Sequence, residues 1–509
     1  MNYNFTDNYA YWDLIAEEAY YPNDELLKLH KLELFQENLY SKNIYMFGCN
    51  AACKEFIETN PSLQIKGVLD NSEAKIGTEY VGVKVLDPND VVPNLDDRDI
   101  VIIAMRLNSD KIARQLSKLG FNNYFSLGVL LACVEPYHSF IMECDKHKEA
   151  DLEDMIIFES TNDFDGNAGA IYDYLKANGT NHKCVWVIKN PNNANLKKSE
   201  DDIAICPSKD TEELKKYIEY RSRAKWIIWD NHPIRKVREG QINIFLQHYG
   251  MGYKQIANIF NCPSYVDFAL NTTEDVYRYE KHALLYSENT KMILGELPRN
   301  DVLFDNTWNE LEKITDKHYN KVIMWAPTLR SSAMYNRVDS DIDYPMGISL
   351  LYTEADLKRV NDFLADVNSL LIIKIHPRQK RNYLCNEYSN ILYLDGESVK
   401  KVHSYKLMTQ MDAMITDYSS MVFDYMLLDR PIAWVLEDME HYKIPFLMDN
   451  PLDFMPGEHI YYVDQLLNFI GDVCEGKDLY KEQRNALSNI YNAPKEGKGC
   501  EKIVEILGL

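Results

Sequence analysis

The sequence predicts an α/β protein built from successive doubly wound units. Short apolar runs recur along the chain with helical stretches between them, and glycine or polar residues stand directly at the ends of those runs. The third observation is size: 509 residues exceed what one hydrophobic core serves, so roughly two to four domains are expected.

Residues 1–40 read as a polar, Tyr-rich helical segment with Leu26, Leu27, Leu29, Leu32 and Leu34 crowded together. From Lys42 the period changes. Asn43 to Gly48, Ile65 to Asp70 and Asp99 to Ala104 read as buried strands of a small Rossmann-like domain over 41–147. A second unit, 148–312, opens at Met155 to Phe158. It continues through Cys184 to Ile188, Ala224 to Trp229 and Ile242 to Leu246. A third, 313–509, runs through Lys321 to Trp325, Leu370 to Ile375 and Ala413 to Thr416, ending in a helix at Lys502 to Leu507. Ligands of such sheets bind at the carboxyl ends of the strands, so the second and third units predict a cleft.

Composition narrows the function. Hydrophobic residues make up 46%, enough for a substantial core. A net charge of -23 without a long basic run excludes a nucleic-acid coat but not a nucleotide pocket. The 10 cysteines lack paired spacing and read as free, buried thiols. The chain opens without a basic, apolar leader, and its best apolar run, Phe125 to Val134, is shorter than the ~20 residues that span a bilayer. A soluble, cytoplasmic enzyme is expected.

Four segments carry chemistry. In Ile415 to Asp424 a strand ends at Thr416, and a helix opens at Ser419 and Ser420 and runs to Asp429-Arg430-Pro431, where proline stops it. Two hydroxyls and the first-turn N–H groups then make a phosphate site, although one serine acting as an ordinary N-cap is an equal reading. In Ile373 to Arg378 a strand delivers His376 to its carboxyl end between Lys374 and Arg378, which suits an anion or a plain structural histidine. Trp325 to Arg330 places Arg330 where its fork fits a phosphate; alone it is a surface arginine. In Phe245 to Lys254, His248 follows a strand, and Gly250 and Gly252 let the backbone approach a ligand. A general base opposite a diphosphate clamp fits His248 facing His376 and the serines.

Together these segments resemble the CDP-glycerol glycerophosphotransferase family, the teichoic-acid polymerases and primases and their capsule-forming relatives. The resemblance spans 155–509 and rests on stretches that occur in the family's order. These are Ile157 to Ser160 with Asp165 to Ala168, Pro298 to Asp301, Trp325 to Arg330, Lys374 to Pro377, Thr416 to Ser420, Phe454 to Gly457 and Gly497 to Cys500. It implies a glycosyltransferase-B-type pair of Rossmann-like domains, with a CDP-alditol donor held by the C-terminal one and neither metal nor cofactor required. His376, Arg330, Ser419 and Ser420 would grip the diphosphate, with Thr328, Lys374, Arg378, Asp417, Arg299, Asn300 and Gly250 completing the substrate site. His248 would deprotonate the acceptor hydroxyl of a polymer or lipid-linked glycan, and CMP would leave. Family members work at the inner membrane face, so peripheral contact there is part of the implication.

Two departures stand out. The family's Trp-His-Gly-Thr-Pro is here Gln247-His248-Tyr249-Gly250, with an extra residue between His and Gly, and Gly295-Glu296-Leu297-Pro298 is one residue longer than the usual Gly-x-Pro. The altered loop leaves glycerol, ribitol or another alditol phosphate open as the transferred group. In the front domain, Gly48 to Cys53 with Asp70 resembles a dinucleotide-binding turn, and Gly67 to Asn71 with Lys75-Ile76-Gly77 resembles the nucleotide-sugar-binding front domain of some sugar acyltransferases. Asn50 and Cys53, however, occupy two glycine places, so a structural or acceptor-handling module is expected. The rival readings are a nucleotide-sugar glycosyltransferase and a non-catalytic nucleotide-sensing scaffold.

Overall fold

The computed structural model describes residues 39–104, 109–132, 137–147, 149–248, 250, 252–254, 262, 265–284, 286–328, 330–332, 337–342, 344–375, 388–394, 396–399 and 401–509. Most of the expected N-terminal helical segment, together with His376 and Arg378, lies outside these residues. The chain forms two compact units, one of residues 1–165 and 178–244, the other of 166–177 and 245–509.

The first unit contains two arrays, parallel apart from one antiparallel pair at the edge of the front sheet, Glu79–Tyr80 with Val83–Leu86. In the front sheet β1 (Asn43–Phe47), β2 (Ile65–Leu69), β3 (Glu79–Tyr80), β4 (Val83–Leu86), β5 (Asp99–Ile103) and β6 (Tyr124–Ser126) lie in the order β3-β4-β2-β1-β5-β6. All five residues of β5 are buried, as an uninterrupted apolar run at the centre of a sheet requires. The turn after β1 is satisfied by its own side chains. Gly48 takes φ 103°, Asn50 caps the helix Ala51–Thr59 by accepting from Cys53 N–H, and Asp70 Oδ2 accepts from Cys49 N–H at 3.0 Å.

The second array follows with β7 (Glu153–Glu159), β8 (Lys183–Val187), β9 (Ile203–Ile205), β10 (Ala224–Trp229) and β11 (Ile242–Phe245). Their order is β9-β8-β7-β10-β11, with β7 parallel to both β8 and β10. The boundary between the units falls inside β11.

The second unit contains the parallel pair β12 (Phe268–Asn271) and β13 (Lys291–Leu294). Its main sheet uses β14 (Lys321–Ala326), β17 (Ser369–Lys374), β18 (Ile391–Leu394), β19 (Ala413–Thr416), β20 (Ile432–Val435) and β21 (Glu458–Ile460). Between β14 and β17 lies a small antiparallel ribbon, β15 (Ser331–Ser332) with β16 (Arg337–Val338). Every pairing in the main sheet is parallel, in the order β18-β17-β14-β19-β20-β21. Alternate residues of β14 enter opposite cores: Val322 and Met324 on one face, Ile323 and Trp325 on the other. Helices Glu354–Asp366 and Val463–Cys474 cover the second face with Leu357, Val360, Leu466 and Ile470. Double coverage is why these strands read as continuous apolar runs rather than alternating ones.

The eight described cysteines are free thiols, six of them buried. No helix among the described residues is long and apolar enough to cross a membrane.

Candidate active site

The main sheet of the second unit starts at its centre with β14, grows outward through β17 and β18, then restarts on the other side with β19. The strand order therefore reverses between β14 and β19, and their carboxyl ends open the crevice in which such sheets hold ligands. Thr328, Arg330, Asp417, Ser419 and Ser420 all follow these two strands. Lys374 ends the adjacent β17, half-buried.

Asp417 ties the two strand ends together. It is fully buried and accepts from Thr328 N–H at 3.0 Å, from the Thr328 hydroxyl and from Tyr418 N–H at 2.6 Å. Arg330, 7% exposed, pairs with Asp417 at 2.9 Å. It also donates Nε–H and Nη2–H to Asp438 at 2.6 and 3.1 Å. Tyr418 donates its hydroxyl to the same carboxylate at 3.0 Å, and the guanidinium lies 5.1 Å from the Tyr418 ring centre. Burial opposes the charge on Arg330, but Asp417 and Asp438 outweigh it and hold the group above its ordinary value. The expected fork onto phosphate is thus engaged by Asp438, and Arg330 fixes the geometry of the turn. Asp438 escaped sequence reading: it lies just past β20 next to Glu437, and nothing local links it to Arg330, 108 positions away.

Ser419 and Ser420 are the half-buried end of this turn. Ser420 precedes the five-residue helix Met421–Tyr425 without a side-chain cap bond. The cap reading therefore does not apply to it, and its hydroxyl is not consumed by the helix. The helical stretch continues as a 3-10 turn to Leu428 and stops at Asp429, left-handed at φ 47°, ahead of Pro431. The stop falls where proline predicted it.

From the same helix, buried Asp424 accepts from Arg299 at 2.9 Å, Asn300 at 2.8 Å and the Tyr405 hydroxyl at 2.7 Å. Arg299 also donates to the His248 carbonyl oxygen. Asn167 adds a second tie, donating to the Gln247 carbonyl at 2.6 Å and accepting from Arg299 N–H at 3.1 Å. Arg299 and Asn300, expected to touch substrate, are instead 6% and 3% exposed. They link the serine-bearing helix to the His248 backbone, which is why His248 belongs to the second compact unit rather than to the one before it.

His248 is exposed because buried Gln247 adopts φ 47° and turns the chain at the end of β11, its amide anchored to the Leu270 carbonyl at 2.6 Å. Gly250 is buried, and a Cβ there would lie 3.1 Å from Leu297 Cδ1; close packing on the protein itself accounts for this glycine. Gly252 N–H donates to Glu280 at 3.2 Å, and Glu280 Oε2 has no hydrogen-bond partner among the described residues. Burial pushes the Glu280 carboxyl up to about 8 against that one backbone bond. Nothing in the sequence distinguished Glu280 from other helix-surface acids.

A family model described as CDP-Glycerol:Poly(glycerophosphate) glycerophosphotransferase matches residues 144–508. The chain belongs to this family. Teichoic acid ribitol-phosphate polymerase TarK of Staphylococcus aureus is 24% identical over 257 residues, covering 48% of this chain and 46% of that protein. Teichoic acid poly(ribitol-phosphate) polymerase of Bacillus spizizenii is 29% identical over 228 residues, covering 42% of this chain and 33% of that protein. The chain spans less than half the length of these curated relatives. A solved structure of the wall teichoic acid polymerase TagF matches at a TM-score of 0.57 and 22% identity, covering 72% of this chain and 92% of that one, so the fold is shared.

The glycerophosphotransferase motifs divide by physical role. Gly457 at φ 146° brings the chain so close that a Cβ would lie 2.2 Å from the Ile432 carbonyl oxygen. Asp301 accepts from Gly499 and Cys500 N–H at 2.7 and 2.9 Å, at the start of the helix Gly499–Leu507. Glu296, within the lengthened Gly-to-Pro spacing, accepts from Gly497 N–H at 2.8 Å. These motifs build the scaffold, whereas Ser419 and Ser420 after β19 stay half-buried.

Proposed function

We propose that this chain transfers an alditol phosphate from a CDP-linked donor to a hydroxyl of a teichoic-acid-like or capsular polymer, releasing CMP. The observation that carries the reading is the pair of serines at the switch point of a glycerophosphotransferase-family sheet, with no cap bond at Ser420. In this reading Ser419 and Ser420 donate to the diphosphate, and Lys374, His376 and Arg378 supply positive charge. Asp417, Thr328 and Arg330 hold the turn in shape. The acceptor oxygen attacks the phosphorus that bears the alditol, the bond from that phosphorus to the CMP oxygen breaks, and His248 takes the acceptor proton.

The same proposal reads the fold as a glycosyltransferase-B-type pair, 148–312 and 313–509, preceded by an accessory Rossmann-like domain over 41–147. Its acceptor is a polymer or lipid-linked glycan met at the inner membrane face. Relatives include both ribitol-phosphate and glycerol-phosphate polymerases, which keeps both donors in the test. A thermal-shift series with CDP-glycerol, CDP-ribitol, CDP, CMP and UDP-sugars checks the donor, because a ligand of the folded state alone raises Tm. Greater stabilisation by a CDP-alditol than by CDP supports the reading and names the alditol. A response confined to UDP-sugars contradicts it.

A further inference from the structure

Beside the front sheet lies a groove that the transfer site does not use. Asn89, Lys111, Arg114, Gln115, Lys118 and Leu119 line an open cavity of about 480 Å³. Three of these side chains are cationic and none is acidic, in a chain whose 78 acids outnumber its 55 Lys and Arg residues. The cations stand on the helix Ser109–Lys118, which follows β5. A step of about 100° per residue sets Lys111, Arg114, Gln115 and Lys118 in one stripe of that helix. Ile112 and Leu116 turn the other way, into the core with Phe47, Leu69 and Val101. Apolar burial on one face therefore fixes the direction of the cationic stripe on the other.

The polar neighbours in the groove are engaged within the protein, and the two lysines are not. Gln115 and Asn71 exchange side-chain hydrogen bonds at 2.9 Å in both directions, and Asn89 donates Nδ2–H to Asp87 at 3.0 Å. Lys111, Arg114 and Lys118 are exposed. Among the described residues no acid lies within ion-pair distance of the Lys111 or Lys118 ammonium. At the end of β2, by contrast, where such sheets take a phosphate, a carboxylate stands. Asp70 accepts from Cys49 N–H at 3.0 Å, from Ser72 N–H at 2.9 Å and from Lys75 at 3.2 Å. An anion is therefore attracted to the helix stripe rather than to the strand end. Lys111 and Lys118 lie about 10 Å apart along the helix axis, which suits a row of phosphates better than a single one. Transfer of an alditol phosphate to a hydroxyl leaves a phosphodiester with one negative charge, so the growing product is such a row.

We propose that the stripe from Lys111 to Lys118 is a docking groove for the polyanionic acceptor polymer. The identity of that polymer rests on the transferase reading above. Fluorescence anisotropy of the full chain with a labelled glycerol-phosphate oligomer, at about 50 mM salt, tests it. Lys111→Gln with Lys118→Gln raises Kd about tenfold or more, because two phosphate contacts and their released counterions are lost. Tm, and the rise in Tm given by CDP-glycerol, stay unmoved. Lys111→Arg with Lys118→Arg keeps the wild-type Kd, and about 200 mM salt weakens wild type more than the glutamine variant. The proposal is overturned if the glutamine variant binds the oligomer within about twofold of wild type, or if salt weakens both equally. Loss of binding to phosphatidylglycerol vesicles with oligomer binding intact assigns the stripe to a membrane and overturns it as well. A wild-type chain that binds the oligomer through the stripe but releases no CMP from any CDP-alditol defeats the transferase reading alone.

Discussion

The two strand-edge clusters are built around buried carboxylates but set them to different uses. After β14 and β19, Asp417 and Asp438 both close on Arg330, so the cation is consumed internally and neutral serine hydroxyls are presented. After β7 and β10, Glu159 closes on backbone amides, on Lys189 and on one edge of His232, so a partly exposed imidazole is presented. Glu280, beneath the His248 loop, is the contrasting case: with only the Gly252 N–H and no cation it is pushed to about 8 and is protonated at neutral pH. Glu159 and Asp438, each met by a cation, are held below the ordinary carboxylate range, and what each cluster shows to a ligand depends on which partner is left at the surface.

The largest effect is expected at the serines. Ser419→Ala with Ser420→Ala lowers CMP release by about 10²-fold or more with an unchanged circular dichroism spectrum, because donors aimed at developing charge contribute on that scale. Retained turnover would remove the hydroxyls from the account. Next, Arg330→Ala leaves Asp417 and Asp438 buried without their cation and costs about 3–5 kcal/mol in chemical denaturation. Were Arg330 a ligand-facing cation, the variant would instead keep its stability and lose only donor affinity. Lys189→Met removes one of several partners of Glu159 and costs less, about 1–3 kcal/mol by the same measurement. The smallest effect is at Glu280. Its carboxyl titrates near 4.5 when unfolded and at about 8 when folded, so the folded chain keeps the extra proton across that window and loses stability as pH rises through it. Glu280→Gln therefore raises Tm at pH 8 and converges with wild type toward pH 4.5; equal Tm values at both pH values would contradict the assignment.

Strand positions were legible in the sequence because double-sided burial writes them as unbroken apolar runs; β5, β14 and β19 fall within one or two residues of the expectation. The turn after β19 was legible too, since Pro431 and the serines mark its ends. What the sequence hides is pairing. Arg299, Asn300 and Arg330 look like substrate contacts because nothing local shows that Asp424 and Asp438 meet them from more than a hundred positions away. The compact unit that holds the His248 loop begins inside β11 because Asn167 and Arg299 tie that loop to it through contacts far apart in the chain. Glu280 lacked any local signal, whereas His232 follows the apolar run Ala224 to Trp229 much as His248 and His376 follow theirs.

The most direct test of the central claim is acceptor-dependent CMP release by the full chain, with CDP-glycerol and CDP-ribitol offered in turn to a polyol-phosphate acceptor. The account predicts CMP formation from at least one of them, matched by lengthening of the acceptor and abolished by the paired serine substitution. CMP release that ignores the acceptor, or release only of UDP from a UDP-sugar with transfer of its sugar, would contradict it.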